Sequence, residues 1–423
     1  MKNTLKFYTI AVLLVLLAVS CKKKSSEEDI ASLPYANESV DQGKANLTTT
    51  GQQMVSELSG LADVQGISGA QSMSHFLDIA TPFTINTQSA NVFAAIEATN
   101  EAGAKKDVKG IMRFLSTNIV SKPDTTIKQV FENNKGIYTW NKTTQKWVKT
   151  AATDKIELLF PSTEAGQTNN AKLDITYTGI AASSELIGLN GDLPGTFDAV
   201  LYTNNEKVLE YYFNAQYDNT GIPTHVNTFL ALYPFKFETT MDKSSSNASV
   251  RYLFTDDATT ILDFYFAVNG NLDQTSLENS SSATDVASNA NAYFQVLNIK
   301  LAGRIDASGL SQKRTDINND KTINTNKARV DAQVVAYNQF IALVCMYADT
   351  KQKIAQAEFY NKPTVDYYGT SYSADMKFVF KDGSKDDLAA YFGTGFSAVV
   401  DDFNTLIVKL NDNYGMGLNP VSY

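Results

Sequence analysis

Histidine and cysteine are almost missing from this sequence of 423 residues, with two of each. His75 falls in a helical pattern and His225 in a Pro-containing loop, and neither has a partner at ligand spacing. A zinc site of clustered His and Cys and a His-Glu-x-x-His metalloprotease helix are therefore excluded. Positive charge is also short, 36 Lys and Arg against 45 Asp and Glu, for a formal net charge of −9. That argues against nucleic acid and anionic membrane surfaces as partners, because both require clustered cations. Long apolar runs are confined to the amino terminus, where Ile10–Val19 is too short to span a bilayer, a task that takes about 20 apolar residues. With 43% hydrophobic and only 19% charged residues, the composition excludes disorder and supports a substantial core.

What is present begins with the parts of a secretory signal over residues 1–20: Lys2 and Lys6, the apolar run, then small residues before a cysteine. Leu17-Ala18-Val19-Ser20-Cys21 resembles the lipobox of bacterial lipoproteins. The resemblance implies acylation of Cys21 and a lipid-anchored protein. Lys22-Lys23-Lys24-Ser25-Ser26-Glu27-Glu28-Asp29 resembles the tether of Bacteroidota surface lipoproteins, and no aspartate follows Cys21 directly. Together these imply the outer membrane, facing the cell surface or else the periplasm. Removal of the signal deletes Lys2 and Lys6 and takes the formal charge from −9 to −11. With Cys21 lipidated, Cys345 has no mate, so the fold must be held by packing rather than by a disulfide.

Residues 21–46 read as a flexible, lipidated tether, and 47–122 as a mainly helical segment in which Met54, Leu58 and Leu61, then Val108, Ile111, Met112, Leu115 and Ile119, recur at helical spacing. Over 123–423 the period changes to two, as in Ile156, Leu158 and Phe160, or Leu209, Tyr211, Phe213, Ala215 and Tyr217. Asn141–Gln145 marks a hairpin, Phe229–Phe237 one strand with a bulge or edge at Pro234, 271–291 a loop or loose helix, and Phe294–Leu301 one further strand. A long helix is expected near 326–360, carrying Val334, Tyr337, Ile341, Val344, Cys345 and Ala348, and a last one near 384–411 with Phe396, Val399 and Phe403. The expected class is α+β, an antiparallel β-meander sheet packed by N-terminal and C-terminal helices.

No catalytic, cofactor or metal motif is complete. Gly66-Ile-Ser68-Gly-Ala70 lacks the last glycine and the preceding strand of a nucleophile elbow, and Gly393-Thr-Gly395-Phe-Ser-Ala398 lacks the tight strand-to-helix turn of a dinucleotide site. Asp316-Ile-Asn318-Asn-Asp320 starts like a calcium loop, but Lys321 and Lys327 replace the required glycine and glutamate. Cys345 reads as a small buried hydrophobe. Asp256-Asp257, Asp386-Asp387 and Asp401-Asp402 read as turn and capping groups.

Aromatic residues are the positive signal: 21 tyrosines and 23 phenylalanines, many in strands. Tyr212 and Tyr265 alternate opposite to the apolar face, where a ring offers area and its hydroxyl a hydrogen bond, so these two are the candidate ligand-binding residues. The sequence thus points to non-enzymatic binding of a ligand, such as a glycan, or of an envelope protein partner. The alternative is a lipid-tethered hydrolase of polysaccharide or peptide that uses carboxylates.

Overall fold

The computed structural model describes residues 30–80, 82, 127–181, 192–219, 221–279, 286–366, 369–387, 404, 405 and 408. It is sheet-rich with few helices, compatible with the α+β class. The helices are α1 (Val40–Leu58), α2 (Gln65–Ile79), α3 (Ile127–Asn134), α4 (Gln274–Asn279), α5 (Ala307–Asn319) and α6 (Asn326–Phe340). The strands are β1 (Gly136–Asn141), β2 (Lys146–Thr150), β3 (Ile156–Phe160), β4 (Ala171–Ala181), β5 (Asp192–Thr203), β6 (Glu206–Tyr217), β7 (Pro223–Leu232), β8 (Phe235–Lys243), β9 (Asn247–Asp256), β10 (Thr259–Gly270), β11 (Ala287–Val296), β12 (Ile299–Asp306), β13 (Ile341–Tyr347), β14 (Lys353–Asp366), β15 (Gly369–Phe380) and β16 (Lys385–Asp387). The chain divides into two compact units, Asp63–Thr240 and a second made of Met1–Ala62 with Met241–Tyr423. Among the described residues no helix is long and apolar enough to cross a membrane.

In the unit Asp63–Thr240 the strands run β2-β1-β3-β4-β5-β6-β7. All pairs are antiparallel except β1 with β3, which is parallel and makes the sheet mixed. The expected hairpin is there, with Trp140 opposite Trp147. Asn204 and Asn205, at φ 53° and 68°, make the β5–β6 turn, the left-handed conformation that asparagine tolerates best after glycine. Alternation decides the core: Ile156 faces Ile175, Leu158 faces Leu173, and Leu173 faces Leu201. Phe76 of α2, Trp140, Leu158, Phe160 and Leu201 are buried together there, each contributing on the order of 1.5–3 kcal/mol. Helix α2 lies close on the sheet because two of its positions are glycine, Gly66 against the Val208 carbonyl and Gly69 against Leu201. Its C-terminal end is held by Trp147, whose indole N–H donates to the Ala80 carbonyl at 2.7 Å.

In the other unit β9 to β16 pair in chain order, each antiparallel to the next. Val40 and Leu47 of α1 pack on Cys345, Ala355, Phe378 and Phe380. Helices α5 and α6 close a second cluster through Leu310, Ile317 and Ala336. Leu33 plugs a third, with Ala302, Val344 and Met346.

Several expectations are corrected here. The tether does not extend to 46. The Ala36 N–H donates to the Lys353 carbonyl at 2.9 Å, the Lys353 N–H donates to the Pro34 carbonyl at 2.8 Å, and α1 is already under way by Val40. A polar composition hid this, because the segment is held by backbone pairing and one buried leucine. The helix expected near 326–360 ends at Phe340, and Ile341–Tyr347 and Lys353–Asp366 are strands. Val344 and Cys345 are both fully buried, so β13 is covered on both faces, and such a run carries no alternation to distinguish it from a helix. Phe229–Phe237 is two strands joined by a turn at Tyr233-Pro234, not one strand with a bulge, and Phe294–Leu301 likewise contains a turn, with Leu297 at φ 49°. Among the described residues of the 271–291 stretch Gln274–Asn279 is helical and Ala287 begins a strand. The segment 47–122 is helical as far as Ile79, and Val108 to Ile119 lie outside the described residues. At the other end Lys385–Asp387 is a strand, not the start of the expected 384–411 helix, whose Phe396, Val399 and Phe403 lie outside the described residues.

A Cβ at Gly66 would stand 2.4 Å from the Val208 carbonyl oxygen, whereas at Gly69 its nearest neighbour is a leucine methyl at 3.0 Å. Gly66→Ala is expected to destabilise the fold by about 1–3 kcal/mol in denaturant melts, and Gly69→Ala by clearly less.

Candidate functional site

Each unit carries, across neighbouring strands, a row of side chains set by register; in the unit containing Met241–Tyr423 the row shares its face with Ala302, Val344 and Met346. In the unit Asp63–Thr240, Asp198 of β5 lies opposite Tyr212 of β6, and Tyr212 opposite Phe229 of β7. The two rings stack at 5.1 Å and 23°, and Lys236 of β8 places its Nζ 4.2 Å from the Phe229 centroid. One rung along, Glu210 is buried and accepts from Lys207 Nζ at 3.0 Å and from the Tyr233 hydroxyl. Burial and then Glu210's negative charge hold the Asp198 carboxyl above its usual range. Burial and the bond to Glu210 push the Tyr233 phenol up to about 12.

The second unit repeats the pattern. Arg251 of β9 lies opposite Tyr265 of β10, and Tyr265 opposite Tyr293 of β11. The tyrosines stack at 5.3 Å and 22°, and Lys300 of β12 sits 3.9 Å above the Tyr293 centroid. The adjacent acid is Asp263, 3% exposed. Arg251 Nε and Nη2 donate to its two oxygens at 2.9 Å each, and the Tyr293 hydroxyl donates at 3.0 Å. A carboxylate removed from water is tolerated because a bidentate guanidinium and a phenol replace the lost hydration. Burial, then Asp263, pushes the Tyr293 phenol up to about 12. Lys300 is shifted down by burial first; Asp263 opposes this, while Arg251 and Lys351 add to it.

Tyr212 and Tyr265, the residues picked out by alternation, therefore stand in matching places: an ionisable neighbour on one side, then a stacked ring, then a lysine. The rings of Phe229 and Tyr293 are enclosed, with an aromatic on one face and a lysine on the other. Tyr212 stacks on Phe229 and Tyr265 on Tyr293. Phe229, Tyr293, Lys236 and Lys300 were missed by sequence reasoning, since only register places them beside the two tyrosines.

The other sequence candidates stand apart from these rows. His75 lies on α2 with Nδ1 3.8 Å from Glu164, and His225 is on strand β7 opposite Gln216, not in a loop. Cys345 is on a strand, not a helix, and burial pushes its thiol up to about 12, which leaves it protonated. Ser68 is inside α2, donating to the Gln65 carbonyl. Asp316–Asn319 form the last turn of α5, where Asp316 accepts from Gln312 at 3.0 Å and Asn318 from Arg329 at 3.1 Å, and no group of three metal-ligating side chains occurs among the described residues. Asp257 turns the β9–β10 hairpin, and Asp386 pairs with Lys44 at 2.6 Å. Cys21, Gly393–Ala398 and Asp401-Asp402 lie outside the described residues. One small cleft, about 140 Å³, is lined by Glu358, Tyr360, Lys377 and Lys385. That is below the roughly 300–1,000 Å³ of small-molecule sites.

Tyr233, Tyr293 and Tyr347 all titrate near 12 in the folded chain against an ordinary 10.0. Between those values the folded state keeps protons that the unfolded chain loses, so this stabilisation is full below about pH 10 and is lost as pH rises to 12. Absorbance titration of phenolate should show a late group of tyrosines, coincident with falling stability. Asp263→Asn should cost about 1–3 kcal/mol in melts and lower the Tyr293 phenol toward its ordinary value.

Compared with known proteins, the chain matches no family model, no curated protein and no solved structure.

Proposed function

We propose that the chain is a lipid-anchored envelope protein, held at the outer membrane through an acylated Cys21, facing the cell surface or the periplasm, and that it binds an extended glycan or a protein partner through the sheet faces bearing Tyr212 and Tyr265. The observation that carries this reading is the recurrence, in both units, of a stacked aromatic pair flanked by an ionisable side chain and a lysine across successive strands. A row along a sheet face suits a ligand that lies across strands. Several acyl chains, at about 0.8 kcal/mol per buried methylene, would make the anchoring lasting and leave the sheets free of lipid. The finer architecture in this reading is an antiparallel β-meander packed by N-terminal and C-terminal helices, which chain-order pairing from β3 to β7 and from β9 to β16 supports.

A second reading, a lipid-tethered hydrolase, has one observation in its favour: Asp198 is held toward its protonated form by burial and by Glu210, as a general acid beside a carboxylate would be. Glu210 is already engaged by Lys207 and Tyr233, which favours a structural role for it.

Radiolabelled palmitate should enter the wild-type chain and not Cys21→Ser, which should partition into the aqueous fraction. On a glycan array, Tyr212→Ala and Tyr265→Ala should each weaken the strongest signal about tenfold. Turnover of a bound glycan that is abolished by Asp198→Asn would favour the hydrolase instead.

A further inference from the structure

We infer that the face formed by Arg251, Tyr265, Tyr293 and Lys300 binds an acidic glycan chain, with Lys300 meeting a sugar carboxylate and Tyr265 carrying a sugar ring. This rests on the binding reading above and names its ligand class.

Charge is the first argument. In a chain of net charge −9, Lys300 feels the positive charges of Arg251 and Lys351 against the carboxylate of Asp263. That carboxylate is already taken, by two bonds from Arg251 and one from Tyr293. Lys300 forms no ion pair among the described residues, and its ammonium rests on the Tyr293 ring at 3.9 Å. A half-buried ammonium that feels two other positive charges gains more from an added anion than a solvated one does.

Position is the second. The rings belong to β10 and β11 and the lysine to β12, interior strands whose backbone groups are paired on both sides. A peptide cannot add there as an extra strand, and Tyr293 is packed on the cluster of Leu33, Ala302, Val344 and Met346, so the apolar part of this face is already covered by the chain itself. Recognition must come from side chains alone: a cation, a hydrogen-bonded phenol, and the outer face of Tyr265. Those are the groups that suit a carboxylated sugar.

The test is calorimetric titration of the full chain in detergent, at low and moderate salt, with an oligogalacturonate, with neutral maltoheptaose and with polyglutamate. The oligogalacturonate should bind, and more weakly as salt rises. Lys300→Gln and Lys300→Met should each weaken it roughly tenfold, as should Tyr265→Leu, with unchanged melting midpoints, while Lys327→Gln should have no effect. Equal binding of maltoheptaose would overturn the acidic ligand yet leave glycan binding standing. Preference for polyglutamate would overturn the glycan in favour of an acidic protein. Lysine variants that bind like wild type, or no binding of any probe, would overturn the site itself.

Discussion

Antiparallel neighbours hold directly opposed side chains about 4.5–5.5 Å apart, and much of the chemistry of this molecule depends on that spacing. It is the separation at which two aromatic rings stack, and at which a lysine reaching from the next strand settles over the second ring. Tyr212 with Phe229 and Tyr265 with Tyr293 are stacked because register sets them opposite one another. The same register brings Glu210 and Asp263 one rung away, where each is bonded by a tyrosine hydroxyl and a base. A slip of one residue would turn every member of a row to the other face.

Register in turn depends on the covered faces. In the unit Asp63–Thr240 the apolar positions are fixed under α2 by glycines that permit close approach and by Phe76, Phe160 and Leu201. In the other unit α1, α5 and α6 do the same, while the segment around Leu33 covers part of the reverse face beside Tyr293. The polar rows are the consequence on the reverse side, where side chains must pair among themselves or with something from solution. Tyrosine, lysine and acid together satisfy most of that demand, and Lys300 forms no ion pair among the described residues.

Sequence patterning revealed what depends on neighbours along the chain. The alternation of Leu209 to Tyr217 and the hairpin around Asn141–Gln145 were legible because period and turn residues are local signals. The same alternation singled out Tyr212 and Tyr265. What depends on distant partners was not legible. Ile341–Tyr347 is apolar at both parities because both its faces are covered, which erases the period that would have marked a strand. Ile30 to Ser39 reads as polar tether, yet it is ordered by hydrogen bonds to Lys353, more than 300 residues away. Phe229 and Tyr293 carried no mark of function, since nothing in the sequence states which strand lies beside which.

The most direct measurement of this register is the chemical shift of the Lys300 ε-methylene protons in the isotope-labelled free protein. If Lys300 lies over the Tyr293 ring, these protons should be shifted upfield by the ring current and return toward ordinary values in Tyr293→Leu. Ordinary shifts in the wild type, unmoved by that substitution, would show that the row is not assembled and would contradict the account.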